Sequence, residues 1–142
     1  MINAIYNKDV LRLAADITCI GALESPDAIA SFRSPLCGSS IKVSITMTNG
    51  RITSYGQEIK ACALGQASAS VMAQAAIGKS KKDIQTARDA AQEMLSKGTM
   101  LPEGDWSALV ALAPAKEAKS RHGAILLPFD ALLKALAEKK SN

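Results

Sequence analysis

The sequence predicts an α+β fold: a small antiparallel sheet with helices packed on one face. Three observations carry that expectation. Ile41, Val43, Ile45 and Met47 alternate with Lys42, Ser44, Thr46 and Thr48, the period-two pattern of a half-buried strand. Asn49-Gly50 follows at once, a pair in which both residues accept positive φ and so turn a hairpin. After Cys62 the chain becomes a succession of helical patterns. One helix, then strands, then a run of helices is the order of an α+β domain.

Taken in order, Asn7 to Ala15 reads as a short helix with Val10, Leu11 and Leu13 to bury. Residues 18–36 read as loop, broken by Pro26 and Pro35, with one short strand around Ala28 to Phe32. The hairpin strand from Ile41 returns over Arg51 to Ala61, where Gly56 suggests a bulge. Ala63 to Ile77, almost wholly Ala, Ser, Val, Met and Gln, reads as a helix stopped by Gly78. Ser80 and Asp83 form a capping-box pattern opening a second helix to Lys97, with Ile84, Ala87, Ala91, Met94 and Leu95 on its apolar face and Gly98 after it. Asp105 is placed to cap a short helix, Trp106 to Ala113, closed by Pro114. The last helix carries Phe129, Leu132, Leu133 and Leu136 at spacing i, i+3, i+4, i+7, a core-facing stripe. If it starts at Ala124, Pro128 should kink it or delay its start.

Composition bounds what such a fold does. A chain of 142 residues is one ordinary domain, 1–142, large enough to build a core without disulfides. Its 4% aromatic content leaves Ala, Leu, Ile and Val to fill that core. The net charge of +4 is mild, and no basic run interleaves with aromatics, which argues against nucleic acid. The longest apolar run, Ala124 to Phe129, is far too short to span a membrane. An odd count of 3 cysteines and no leader pattern point to a cytoplasmic protein with reduced thiols. Cys19, between Ile17 and Ile20, is expected to be a buried small hydrophobe.

Cys37 and Cys62 sit in small-residue turns at the two ends of the hairpin region, in SPLCGSS and KACALGQASAS. Thiolates so placed can converge, and soft sulfur ligands select zinc, copper(I) or iron–sulfur clusters. Cys62 precedes a helix, so its thiolate would lie at the positive end of a helix dipole. His122, the only histidine, precedes another and is a candidate third ligand. The plain alternative is two loop cysteines and a surface histidine with nothing in common.

These residues resemble a known family. PLCG before a hairpin, a second cysteine before an ASAS helix, then GKS, then Arg121-His122-Gly123 opening the C-terminal helix, is similar to the scaffold proteins of iron–sulfur cluster assembly: IscU, SufU and the NifU N-terminal domain. The segment between Gly78 and His122 is longer than in IscU-type proteins and looks closest to the SufU type. The resemblance implies a non-enzymatic scaffold, a transient iron–sulfur cluster or zinc as cargo, and a cysteine desulfurase and apo iron–sulfur proteins as partners. It matches Cys37 and Cys62 to two of the family's three cysteines. The family's aspartate is Ser39 here, its third cysteine is Gly123, and the chaperone-docking motif of IscU is missing from PAKEAKSRH.

Three functions are consistent with these residues. The first is a scaffold or carrier binding iron or a nascent cluster through Cys37 and Cys62, with four thiolates supplied across a homodimer or three ligands in one protomer. The second is a degenerate relative that binds zinc or only protein and modulates a cysteine desulfurase. The third is a thiol enzyme with Cys37 or Cys62 as nucleophile and His122 as base. If the two lost ligands matter, Ser39→Asp with Gly123→Cys should raise metal occupancy.

Overall fold

The computed structural model describes residues 5–36, 38–98 and 101–138. Helix α1, Lys8–Ala15, begins where Asn7 accepts a hydrogen bond from the Val10 amide at 2.9 Å, and it buries Val10 completely. The sheet then forms from β1 (Ala28–Arg33), β2 (Ser40–Thr48) and β3 (Arg51–Lys60), antiparallel in the order β1-β2-β3. Asn49 and Gly50 both take positive φ, 53° and 76°, which is what a tight hairpin of this twist requires.

Ile41, Val43 and Ile45 all face the helices and are buried, as their alternation predicts. Gln57, level with Val43 and Ala30, is buried among them and fully tied. Its amide donates to the carbonyls of Thr18 and Ala69, and its oxygen accepts from the Tyr55 hydroxyl at 2.9 Å. Burial pushes the Tyr55 hydroxyl well above its ordinary pKa, with nearby Cys19 adding to the shift.

The expected bulge at Gly56 is not there. The register slips between Thr46 and Met47, next to the hairpin, while Gly56 pairs regularly with Ser44. Gly56 serves a close approach instead: a Cβ on it would stand 2.6 Å from the Gly21 carbonyl and 3.0 Å from Ser44 Oγ. Residues 19–21 run along β3 there, with Gln57 N–H donating to Cys19 O at 2.9 Å and Gly21 N–H to Gln57 O at 2.8 Å. At the other end of β3, Ile52 N–H donates to Lys79 O and Gly78 N–H to Ile52 O.

Helix α2, Ala63–Ala75, lies against α1 and β3, and nearly every residue from Leu64 onward is buried. Small side chains permit that depth of burial. Gly78 follows at φ +87°. Helix α3, Lys81–Ser96, opens on the reciprocal capping box of Ser80 and Asp83, buries Ile84, Ala87, Ala91, Met94 and Leu95, and is followed by Gly98 at φ +69°.

The next stretch departs from expectation. Gly104–Glu117 is a 3-10 helix that continues through Pro114, and Asp105 pairs with Lys79 at 2.8 Å rather than capping it. Its buried residues are Trp106, Leu109, Leu112 and Ala115, one every third position, which suits a helix of three residues per turn. A short 3-10 turn, Lys119–Arg121, leads into helix α4, His122–Glu138. Helix α4 therefore starts before Ala124 and carries Pro128 inside it, so the proline does not delay its start. Nearby, the buried Ser68 hydroxyl donates to the Ile125 carbonyl at 2.6 Å. Phe129, Leu132 and Leu136 are buried, and Phe129 packs on Trp106 with ring centroids 5.5 Å apart. Helix α4 packs on α2, α3, β1 and β2 together, so it is the element through which the other layers meet.

Candidate metal-binding site

Three segments carry the residues singled out in the sequence. The first is the β1–β2 connection. Cys37 itself lies outside the described residues; beside it, Gly38 N–H donates to Ser34 O at 3.0 Å and Ser34 N–H to Ser39 O at 2.8 Å. Gly38 has φ +72°, which a side chain would strain. Ser34 and Ser39 are buried, whereas Leu36 is 77% exposed.

The second segment is the start of α2. Cys62 is its N-cap, in extended conformation, half-buried, and its side chain makes no capping hydrogen bond. Gln66 clamps the entry by donating its side-chain amide to Ala61 O at 3.0 Å. At this position the amides of the first helical turn lack helical acceptors.

The third is the start of α4. His122 is half-buried, and its Nε2 lies 2.9 Å from Ala115 O and 3.1 Å from Lys116 O. Carbonyl oxygens only accept, so Nε2 carries a proton; in the neutral ring that leaves the lone pair on Nδ1. Metal-bound histidines commonly have this arrangement, the second nitrogen donating to a backbone carbonyl.

The two residues after His122 join the segments. A Cβ on Gly123 would overlap the Ser34 hydroxyl and stand 3.3 Å from Ser34 Cβ, so the β1–β2 turn presses directly on the first turn of α4. A Cβ on Gly65 would stand 2.6 Å from Ala61 Cβ and 3.2 Å from Ala124 O, so the start of α2 presses on it too. The structure thus brings the Cys62-bearing and His122-bearing segments to one end of the molecule with the turn that leads into Cys37. Among the described residues no three His, Cys, Asp or Glu side chains cluster so as to hold a metal.

Cys19 is not the buried hydrophobe expected. It is exposed, at φ 60°, and its sulfur lies 4.0 Å from Ala73 O. The segment 19–21 docks by its backbone on β3, which leaves Cys19 and Ile20 facing outward. Residue-type reasoning also passed over Ser34 and Gly65. Gly65 had a signal, since a glycine inside a helical pattern points to a close packing contact. Ser34, one serine among several, had none. No described helix is long and apolar enough to cross a membrane.

Comparison with known proteins places this arrangement. A solved structure of a nitrogen-fixing NifU-like protein (N-terminal) from Brucella abortus is 42% identical, covers 98% of this chain and 99% of its own, and superposes with a TM-score of 0.92. A protein from the thermophile Fervidobacterium islandicum AW-1, described as an iron–sulfur cluster assembly scaffold for the SUF system, shares the fold at TM-score 0.81 and 22% identity, over 93% of this chain and 96% of that one. No curated protein sequence matches. The model of the NifU-like N terminal domain matches residues 5–119, and the chain belongs to that family.

Proposed function

We propose that this protein is a non-catalytic scaffold or carrier in iron–sulfur cluster assembly, acting as one unit over residues 1–142. Cys37 and Cys62 hold iron or a nascent cluster, and His122 adds a third ligand through Nδ1. The observation that carries the reading is the closure of the β1–β2 turn and the α2 start onto the first turn of α4, through Gly123 and Gly65. Membership of the NifU-like family supplies the chemistry. Two thiolates and an imidazole are a thin donor set for a cluster that normally takes four protein ligands, and thin ligation suits cargo that must leave. A second protomer would supply two more thiolates, and zinc would fit the same donors with one position open. The partners under this reading are a cysteine desulfurase and apo iron–sulfur proteins, and the compartment is the cytoplasm.

Anaerobic reconstitution with iron, sulfide and a cysteine desulfurase tests the proposal. The native protein should develop the visible absorption of a cluster, and Cys37→Ala or Cys62→Ala should abolish it. Ser39 and Gly123, which the resemblance sets at the positions of an aspartate and a cysteine in the family, favour one other reading. If the native protein binds the desulfurase but forms no cluster, it is a modulator of that enzyme and the scaffold reading is wrong.

A further inference from the structure

We propose that Ser34 sets the ligand character of this site, by filling the volume into which any side chain at position 123 would project. Ser34 is 2% exposed, and its hydroxyl occupies the place of a Cβ on Gly123. Its own Cβ would be 3.3 Å from that atom, closer than ordinary contact, so rotating the hydroxyl away relieves only part of the overlap. Ser34 is also held by its backbone, which bonds Ser39 and Gly38 in the tight turn. Those bonds fix Ser34 within the turn, so relief requires the turn to shift as a unit. Helix α4 therefore offers one donor from its first turn, the imidazole of His122, and no thiolate beside it.

This deepens the metal-carrier reading above and rests on it for its chemical consequence. Each thiolate ligand brings a negative charge and soft donation, whereas an imidazole brings neither charge nor comparable softness. A site limited in this way holds a dication with less excess negative charge and releases it more readily. It also changes what restoring the family's ligands would require. Gly123→Cys, alone or with Ser39→Asp, meets Ser34 and does not simply add a ligand; Ser34 must change as well.

The test uses cobalt(II) as probe, because thiolate-to-cobalt charge-transfer absorption grows with each sulfur bound. Gly123→Cys alone should lower the thermal midpoint by roughly 3–10 °C, the range for overpacking a tight contact in a domain of this size, and add no charge-transfer intensity. Combined with Ser34→Ala, the same change should recover most of the midpoint and add intensity. The proposal is overturned if Gly123→Cys alone gains intensity with an unchanged midpoint, or if Ser34→Ala recovers nothing. Should the native protein give no charge-transfer band at all, the metal reading fails separately, and Ser34 is judged on Gly123→Ala. Midpoint losses that Ser34→Ala cancels support its role as the plug; losses that simply add to those of Ser34→Ala refute it.

Discussion

Replacing Gly65 by alanine sets two opposed effects of known size against each other. Gly65 lies inside helix α2, where alanine gains about 0.5–1 kcal/mol over glycine through backbone entropy alone. Against that gain stands the new methyl's contact at 2.6 Å with Ala61 Cβ and at 3.2 Å with Ala124 O. Neither neighbour is the far end of a flexible side chain: one is a Cβ and the other a main-chain oxygen, so relief requires the backbone to move. Overpacking of this kind costs roughly 1–3 kcal/mol. The contact wins, and the expected net loss is about 0.5–2 kcal/mol, a fall of roughly 2–6 °C in the thermal midpoint. Urea unfolding measures it directly, as a lower midpoint with an unchanged slope. Adding Ala61→Gly removes the closer of the two contacts and should return part of the loss. Because Ala61 is bonded to Cys62, Gly65→Ala should also weaken cobalt(II) binding, and the rescue should restore it. A rise in the urea midpoint on Gly65→Ala would refute the reasoning, since helix propensity would then have outweighed the contact.

Three further outcomes concern the capping box of α3 and Tyr55. Hydrogen bonding from the Ser80 amide, then the Ser80 hydroxyl and the charges of Arg51 and Lys79, holds the Asp83 carboxyl below its ordinary pKa despite some opposing desolvation. Its contribution is therefore present above the unfolded carboxyl pKa and lost as pH falls through the lower folded value, so Asp83→Asn should flatten the acid limb of the stability curve measured by urea unfolding. Ser80→Ala, which removes the other half of the box, should cost about 0.5–2 kcal/mol at neutral pH. Tyr55 acts at the other extreme: its folded pKa is raised, so the stability it contributes is intact below about pH 10, where the unfolded phenol ionises, and falls as pH rises beyond that. Tyr55→Phe should lose about 1 kcal/mol at neutral pH with its bond to Gln57, yet lose less than the native protein between pH 8 and pH 11.

The parts of the fold legible in the sequence are those whose signal is local. Alternation from Ile41 to Ile45, the Asn49-Gly50 turn, the Ser80 box and Gly98 each act within a few residues, and each stands where expected. Met47, past the register slip, is only half-buried, and α2 ends at Ala75, short of the Ile77 end expected before Gly78. The parts that were not legible depend on partners distant in sequence. Gly56 looks like a bulge until Gly21 is known to cross it. Cys19 looks buried until its segment docks by backbone rather than side chain. The period-three row Trp106, Leu109, Leu112, Ala115 was visible, but it lies so close to the α-helical period that Pro114 misled the reading. At the site, residue types pointed to Cys62 and His122, and to Cys37 outside the described residues. Gly65 carried a hint as a glycine inside a helical pattern, but only packing shows that it and Gly123 are the contacts closing that end.

The wrapping of β3 by residues 19–21 and 78–79 has a bearing on how the protein behaves when concentrated. A sheet edge is a template for strand addition, and one lined with free amides and carbonyls invites another chain to extend it. Along β3 the amides of Ile52 and Gln57 already donate to Lys79 and Cys19, and their carbonyls accept from Gly78 and Gly21. Growth on that side would have to strip off these segments first. Among the described residues β1 has a single strand neighbour, and the Ser31 carbonyl on it is taken by the Lys134 ammonium at 3.1 Å. Among the described residues the six of β1 are thus the more open edge for sheet extension, short and guarded by a cation.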